Sequence, residues 1–120
     1  MLLMLLSLLF VKHAIADFFL QRAFMFKDKH VYGGKGGLTH AAIHGALTGL
    51  ILLIVFPNVS MVLWLALADA VIHYHVDYLK SSWNIKTAAQ PSENRYWYAF
   101  GLDQLAHHLT YIGIVWYIVQ

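Results

Sequence analysis

Residues 38–79 read LTHAAIHGALTGLILLIVFPNVSMVLWLALADAVIHYHVDYL. Two apolar runs, about 38–56 and 61–79, flank the tetrapeptide Pro57-Asn58-Val59-Ser60. Each run is close to the roughly 20 mainly apolar residues that a helix needs to cross a bilayer core. Pro57 and Asn58 punctuate the pattern, so the stretch predicts a helical hairpin with a tight turn. Ionisable side chains sit inside the runs and not in the turn: His40 and His44 in the first, and Asp69, His73 and Asp77 in the second.

Two further segments of similar character lie outside this hairpin, about 1–26 and 97–119. The first opens MLLMLLSLLF, which has the apolar core of a signal peptide. It lacks a positively charged leader, and no small-residue cleavage site comes before Lys12 and His13, so it is expected to be a retained spanning helix. Hydrophobic residues make up 60% of the chain and charged residues 12%. A soluble domain has about 25% charged residues, and one this small leaves too much surface exposed to hide so much apolar area. The expectation is an all-α integral membrane four-helix bundle in one domain. With no cysteine, disulfides, thiolate zinc sites and iron–sulfur clusters are excluded. A formal charge of +2 gives no argument for a nucleic-acid partner.

The basic residues fall in two loops. Lys27, Lys29 and Lys35 lie between the first and second helices, with Arg22 just before them, and Lys80, Lys86 and Arg95 lie between the third and fourth. The hairpin turn carries no charge. The positive-inside rule then places both basic loops in the cytoplasm and both termini outside. Trp83, Tyr96, Trp97 and Tyr98 fall at the cytoplasmic interface, where amphipathic rings collect. Lys12 stands apart near the middle of the first helix, where it must snorkel or pair with an acid facing the bundle interior.

Every expected helix carries His or Asp at i and i+4: His13 and Asp17, His40 and His44, Asp69, His73 and Asp77, and Asp103 and His107. That spacing sets both members on one face, one turn apart, and two ligands so placed can converge on one ion. At about 1.5 Å per residue, the pairs His13/Asp17, His40/His44, His73/Asp77 and Asp103/His107 all fall in the half of the bilayer nearer the basic loops. An ionisable residue at mid-membrane costs about 2.5–3.5 kcal/mol on insertion scales, and a bound cation would give each of them a partner. The candidate ligands are His13, Asp17, His40, His44, His73, Asp77, Asp103 and His107. They outnumber the needs of one tetrahedral ion, which favours two ions or a partly open site. Mixed imidazole and carboxylate donors suit a divalent metal such as zinc, manganese or iron. A His/Asp proton relay and a bis-histidine haem are the competing readings, and carboxylates beside the histidines fit haem poorly. His75 and His108 lie off the main stripes and are assigned structural roles.

Polar groups near these stripes are candidates for substrate binding: Gln21, Lys29, Lys80 and Gln104, together with Lys35 in the loop GGKGGLTH. A helix N-terminus behind a glycine loop can hold an anion, although no strand precedes it and the spacing is not that of a P-loop.

The ordered motifs HAIAD (13–17) followed by Gln21, then Lys29, HAAIH (40–44), HYHVDYLK (73–80) and DQLAH (103–107) cover nearly the whole chain. In that order they resemble the bacterial and phage membrane family catalogued as domain of unknown function 3307. The resemblance implies a short polytopic protein of the bacterial inner membrane. It carries over His13, Asp17, His40, His44, His73, Asp77, Lys80, Asp103, Gln104 and His107. Lys12 and Asp69 lie outside the family pattern. The layout is also similar, more loosely, to inner-membrane metal-dependent hydrolases with His/Asp-bearing helices.

The leading functional expectation is a membrane-embedded metal-dependent hydrolase. Asp17 or Asp69 would serve as general base, and Lys29, Lys80 and Lys35 would neutralise an anionic, lipid or lipid-linked phosphoester. A divalent-metal or proton transporter and a purely structural metal site are the alternatives. The apolar runs Leu50–Phe56 and Ile112–Val119 argue against a path through the outer half. Both a lone bundle and a homo-oligomer remain open.

Overall fold

The computed structural model describes every residue from Met1 to Gln120, and all of its regular structure is helical. Helix α1 spans Leu2–Ala14 and runs directly into a π-helical segment, Ile15–Leu20. The chain then turns extended at Gln21 (ψ 117°) and Arg22 (ψ 160°) before a short α2, Ala23–Lys27. The single helix expected over about 1–26 is therefore broken. The break turns α2 against α3 and buries Met25. Neither Pro nor Gly marks it in the sequence.

Helix α3 covers Lys35–Val55, α4 Val59–Thr87 and α5 Asn94–Ile118. The turn between α3 and α4 falls where Pro57 and Asn58 place it. The Asn58 side chain caps α4 by accepting from the Met61 amide at 3.1 Å. Helix α4 continues about two turns past the expected end at Leu79 and stops at Ala88, whose φ of 49° is left-handed. At the start of α3, Asp28 accepts from the amides of Gly36 and Gly37, both at 3.0 Å.

The spans Leu2–Leu20, Lys35–Val55 and Val59–Thr87 are long and apolar enough to cross a membrane. Helix α5 has the length, 25 residues, but Asp103, Gln104, His107 and His108 lower its mean hydropathy. The outside of the bundle is apolar: Leu3, Phe19 and Ile54 are 82%, 78% and 85% exposed, as suits contact with lipid. Helices α3 and α4 approach closely at Gly45. A Cβ there would come within 2.7 Å of the Ala66 carbonyl oxygen and 2.8 Å of the Ala70 Cβ.

The interior is layered along the bundle axis. At the end holding both termini and the hairpin turn, Leu5, Leu9, Leu52, Val62, Leu65, Tyr111 and Ile114 form one apolar cluster. Next comes a buried ion pair, Lys12 with Asp69, at 2.7 Å. Beyond it, toward the basic loops, the core consists of histidine and aspartate.

Candidate metal centre

Four segments deliver the polar core. Helix α1 and its π continuation bring His13 and Asp17, α3 brings His40 and His44, α4 His73 and Asp77, and α5 Asp103 and His107. A π turn is wider than an α turn, and such turns recur at functional sites. Asp17 lies in this one and reaches across to α3. Its Oδ1 is 3.1 Å from His40 Nε2 and 3.0 Å from His44 Nε2, and its Oδ2 is 3.3 Å from His13 Nε2.

Asp77 occupies the equivalent place on the other side. Its Oδ2 lies 3.5 Å from His40 Nε2 and 3.4 Å from His73 Nε2, and its Oδ1 lies 3.4 Å from His107 Nε2. The rings of His44 and His73 stack with centroids 3.5 Å apart, and those of His73 and His107 at 4.1 Å. Two sets of converging donor atoms result: Asp17, His40, His44 and His73, and His73, Asp77 and His107. Asp103 flanks the second, its Oδ1 3.5 Å from His107 Nε2.

These separations suit a metal. A tetrahedral ion with bonds of about 2.0–2.1 Å needs donor atoms roughly 3.3 Å apart; the nearest His–Asp contacts are 3.0–3.5 Å, and all donor atoms of each set lie within 4.8 Å of one another. The hydrogen-bond accounting agrees. Both ring nitrogens of His73, Nε2 of His107 and Oδ1 of Asp103 are buried without a hydrogen-bond partner. A buried polar group left unsatisfied costs about 1–3 kcal/mol, so these atoms call for partners that the side chains do not supply.

Other side chains hold the donors in place. Asp103 Oδ2 accepts from Lys80 at 3.4 Å and from the Gln104 amide at 3.1 Å, which leaves Oδ1 toward His107. Lys29, buried, pairs with Asp77 at 2.6 Å. His13 belongs to neither donor set. Its Nδ1 shares a hydrogen bond with the Tyr111 hydroxyl at 2.8 Å, and its Nε2 faces Gln104 Oε1 at 3.2 Å. It orients Asp17 and Gln104.

Lys12 pairs with an acid of the interior, one of the two expected outcomes. Asp69 Oδ2 accepts from Lys12 at 2.7 Å and from the Thr48 hydroxyl at 2.6 Å, and Lys12 also donates to the His44 carbonyl at 3.2 Å. The geometry thus makes Asp69 the counter-ion of Lys12. The anion site expected at Lys35 is filled by the chain itself: the α3 amides bind Asp28, and Lys35 is exposed. Gln21 stands at the break after the π segment, its Oε1 buried without a partner. His75 contacts Tyr32 and His108 packs on Phe10, outside the donor sets.

Thr48 and Tyr111 were absent from the sequence reading, yet the signal for both was present. Each continues a ligand stripe by one more step of four, Thr48 after His40 and His44, and Tyr111 after Asp103 and His107.

The fold and its core define an all-helical bundle with membrane-length apolar helices around a His/Asp cluster able to hold metal. The chain belongs to the family described as protein of unknown function (DUF3307), which it matches over residues 5–120. The comparisons with curated proteins and with solved structures gave no match. No relative therefore carries the likeness to inner-membrane metal-dependent hydrolases, and the chemistry rests on the cluster itself.

Proposed function

We propose that this protein is a membrane-embedded metal-dependent hydrolase of the bacterial inner membrane, acting on a lipid or lipid-linked phosphoester from the cytoplasmic side. The observation that carries the reading is the set of unpartnered buried atoms, the His73 nitrogens and His107 Nε2 within two adjoining donor groups and Asp103 Oδ1 at their flank.

His73 lies in both groups, yet one imidazole nitrogen has one lone pair to give. Assigning His73 to the first group gives a site of four ligands, Asp17, His40, His44 and His73. The second keeps Asp77, His107 and Asp103, three protein ligands with room for a water or substrate oxygen, the pattern of catalytic sites. Zinc, manganese and iron all accept such donors. A metal bound here would supply Lewis acidity and lower the pKa of water to about 7.

The chain's own groups do the rest. Where Asp17 is not a ligand, its carboxylate, with Oδ2 3.3 Å from His13 Nε2, would serve as the general base. Lys29 and Lys80, at Asp77 and Asp103, put positive charge where a phosphate would approach. The apolar layer from Leu5 to Ile114 closes the opposite end, which supports a one-sided site over a transport path.

The test is hydrolysis of a panel of lipid and soluble phosphoesters by metal-reconstituted protein, with His107→Ala as control. Turnover of a lipid phosphoester that is lost in the control supports the reading. A metal-loaded protein that turns over no phosphoester would leave a structural metal site in its place.

A further inference from the structure

A groove of about 470 Å³ opens between α4 and α5 at the basic-loop end. Val76, Leu79 and Trp83 of α4 and Tyr98, Leu102 and Ala106 of α5 form its apolar walls. Leu79 and Leu102 are 65% and 68% exposed, so the groove is open sideways along the face that would meet lipid. From Arg95 to Ala106 it runs about 16 Å along α5. Its volume is in the range of small-molecule sites, about 300–1,000 Å³.

The polar groups are placed unevenly. Arg95 lines the groove near the start of α5, and Lys80 lines it from α4, its Nζ 3.4 Å from Asp103 Oδ2. The Arg95 guanidinium holds Glu93 at 2.9 Å, an exposed pair that is weak enough to exchange partners. Asp103 is the only acid on the groove wall, and Lys80 and Gln104 bind its Oδ2. Asp103 is also the residue through which the groove touches the metal cluster, because its buried, unpartnered Oδ1 faces His107. The cavity is thus amphipathic along its length, with Arg95 at the basic-loop end, Lys80 paired with Asp103 further in, and apolar walls between and beyond them.

We infer that this groove admits an anionic phospholipid sideways from the bilayer, with one acyl chain between α4 and α5 and the headgroup phosphate held by Lys80 and Arg95. The inference rests on the hydrolase reading for what happens next at the cluster. It adds the route of entry and two recognition features, Arg95 and the Trp83 wall, that the ligand stripes did not contain. A zwitterionic lipid offers the two cations no net charge, whereas a phosphomonoester headgroup such as that of phosphatidic acid engages both.

Trp83 makes the groove observable. A variant with Trp64, Trp97 and Trp116 changed to Phe keeps Trp83 as sole fluorophore, in phosphatidylcholine nanodiscs doped with acyl-brominated phosphatidic acid or acyl-brominated phosphatidylcholine. Trp83 should be quenched at about tenfold lower doping by the brominated phosphatidic acid. A variant retaining only Trp64, exposed near the hairpin turn, sets the background and should not distinguish the two lipids. Lys80→Gln with Arg95→Gln should erase the preference, and Ala106→Phe, which fills the floor, should reduce quenching by both lipids. Equal quenching of Trp83 by the two lipids, or a preference that survives loss of both cations, overturns the proposal. Repeating the measurement on chelator-treated His73→Ala protein separates the two readings, since lipid preference there needs neither metal nor turnover. Turnover without the preference would keep the hydrolase and remove the groove; preference without turnover would do the reverse.

Discussion

The ion pair between Lys12 and Asp69 allows a double-mutant test of how the core is held together. Lys12 is 4% exposed and Asp69 1%, and Thr48 adds a second donor to the same carboxylate oxygen. Replacing one partner strands the other charge in the middle of the bundle, which costs about 3–5 kcal/mol. Lys12→Met and Asp69→Leu should each destabilise by that amount. The double variant removes both charges and fills the space with apolar atoms, so it should lie within about 1 kcal/mol of wild type or above it. The two single costs would then fail to add by several kcal/mol, far beyond the 0.3–0.5 kcal/mol or so seen for independent sites. Equilibrium unfolding in mixed detergent micelles, followed by far-UV circular dichroism, reads all four corners of the cycle. Single variants indistinguishable from wild type, or additive losses in the double, would refute the account of Lys12 as a buried charge compensated by Asp69.

Three further outcomes are expected from other parts of the structure. Asp28→Ala removes the acceptor of the Gly36 and Gly37 amides and should cost about 0.5–2 kcal/mol in the same unfolding assay, since the first turn of α3 loses its cap. Gly45→Ala sets a methyl group against the Ala66 carbonyl and Ala70, and should destabilise by about 1–3 kcal/mol as α3 and α4 are forced apart. His13→Ala leaves both donor sets intact but frees Asp17 and Gln104; metal affinity measured by competition with a chelator should fall about 10–100-fold without being abolished.

Much of this molecule was legible from local pattern. Membrane-length apolar runs and the Pro57-Asn58 turn gave the helices, because the length needed to cross a bilayer is a property of one segment at a time. The His/Asp pairs were legible for a similar reason: spacing of four puts two side chains on one face whatever the helix packs against. Polar pairs on several helices could satisfy one another only by meeting in the interior, and His40, His44, His73, Asp77 and His107 do meet there. The rest depended on contacts between distant residues. Lys12 finds Asp69 across 57 positions, and no local rule selects that acid over Asp17. His13 resembled a ligand by spacing, but Tyr111 and Gln104, which occupy its nitrogens, come from the other end of the chain. The break at Gln21–Arg22 carries no Pro or Gly signal, and the glycine loop before α3 gave no hint that Asp28 would fill it. Arg95 read only as a topology signal until the helix pair α4–α5 set it at the head of a groove.

The central claim is that the His/Asp core holds metal, and elemental mass spectrometry of detergent-purified protein, beside a His44→Ala/His73→Ala control, tests it most directly. The account predicts one or two equivalents of zinc, manganese or iron in the wild type and loss of that metal in the control, with the control still helical by circular dichroism. Absence of metal from the wild type even after reconstitution, or equal metal in both proteins, would contradict it.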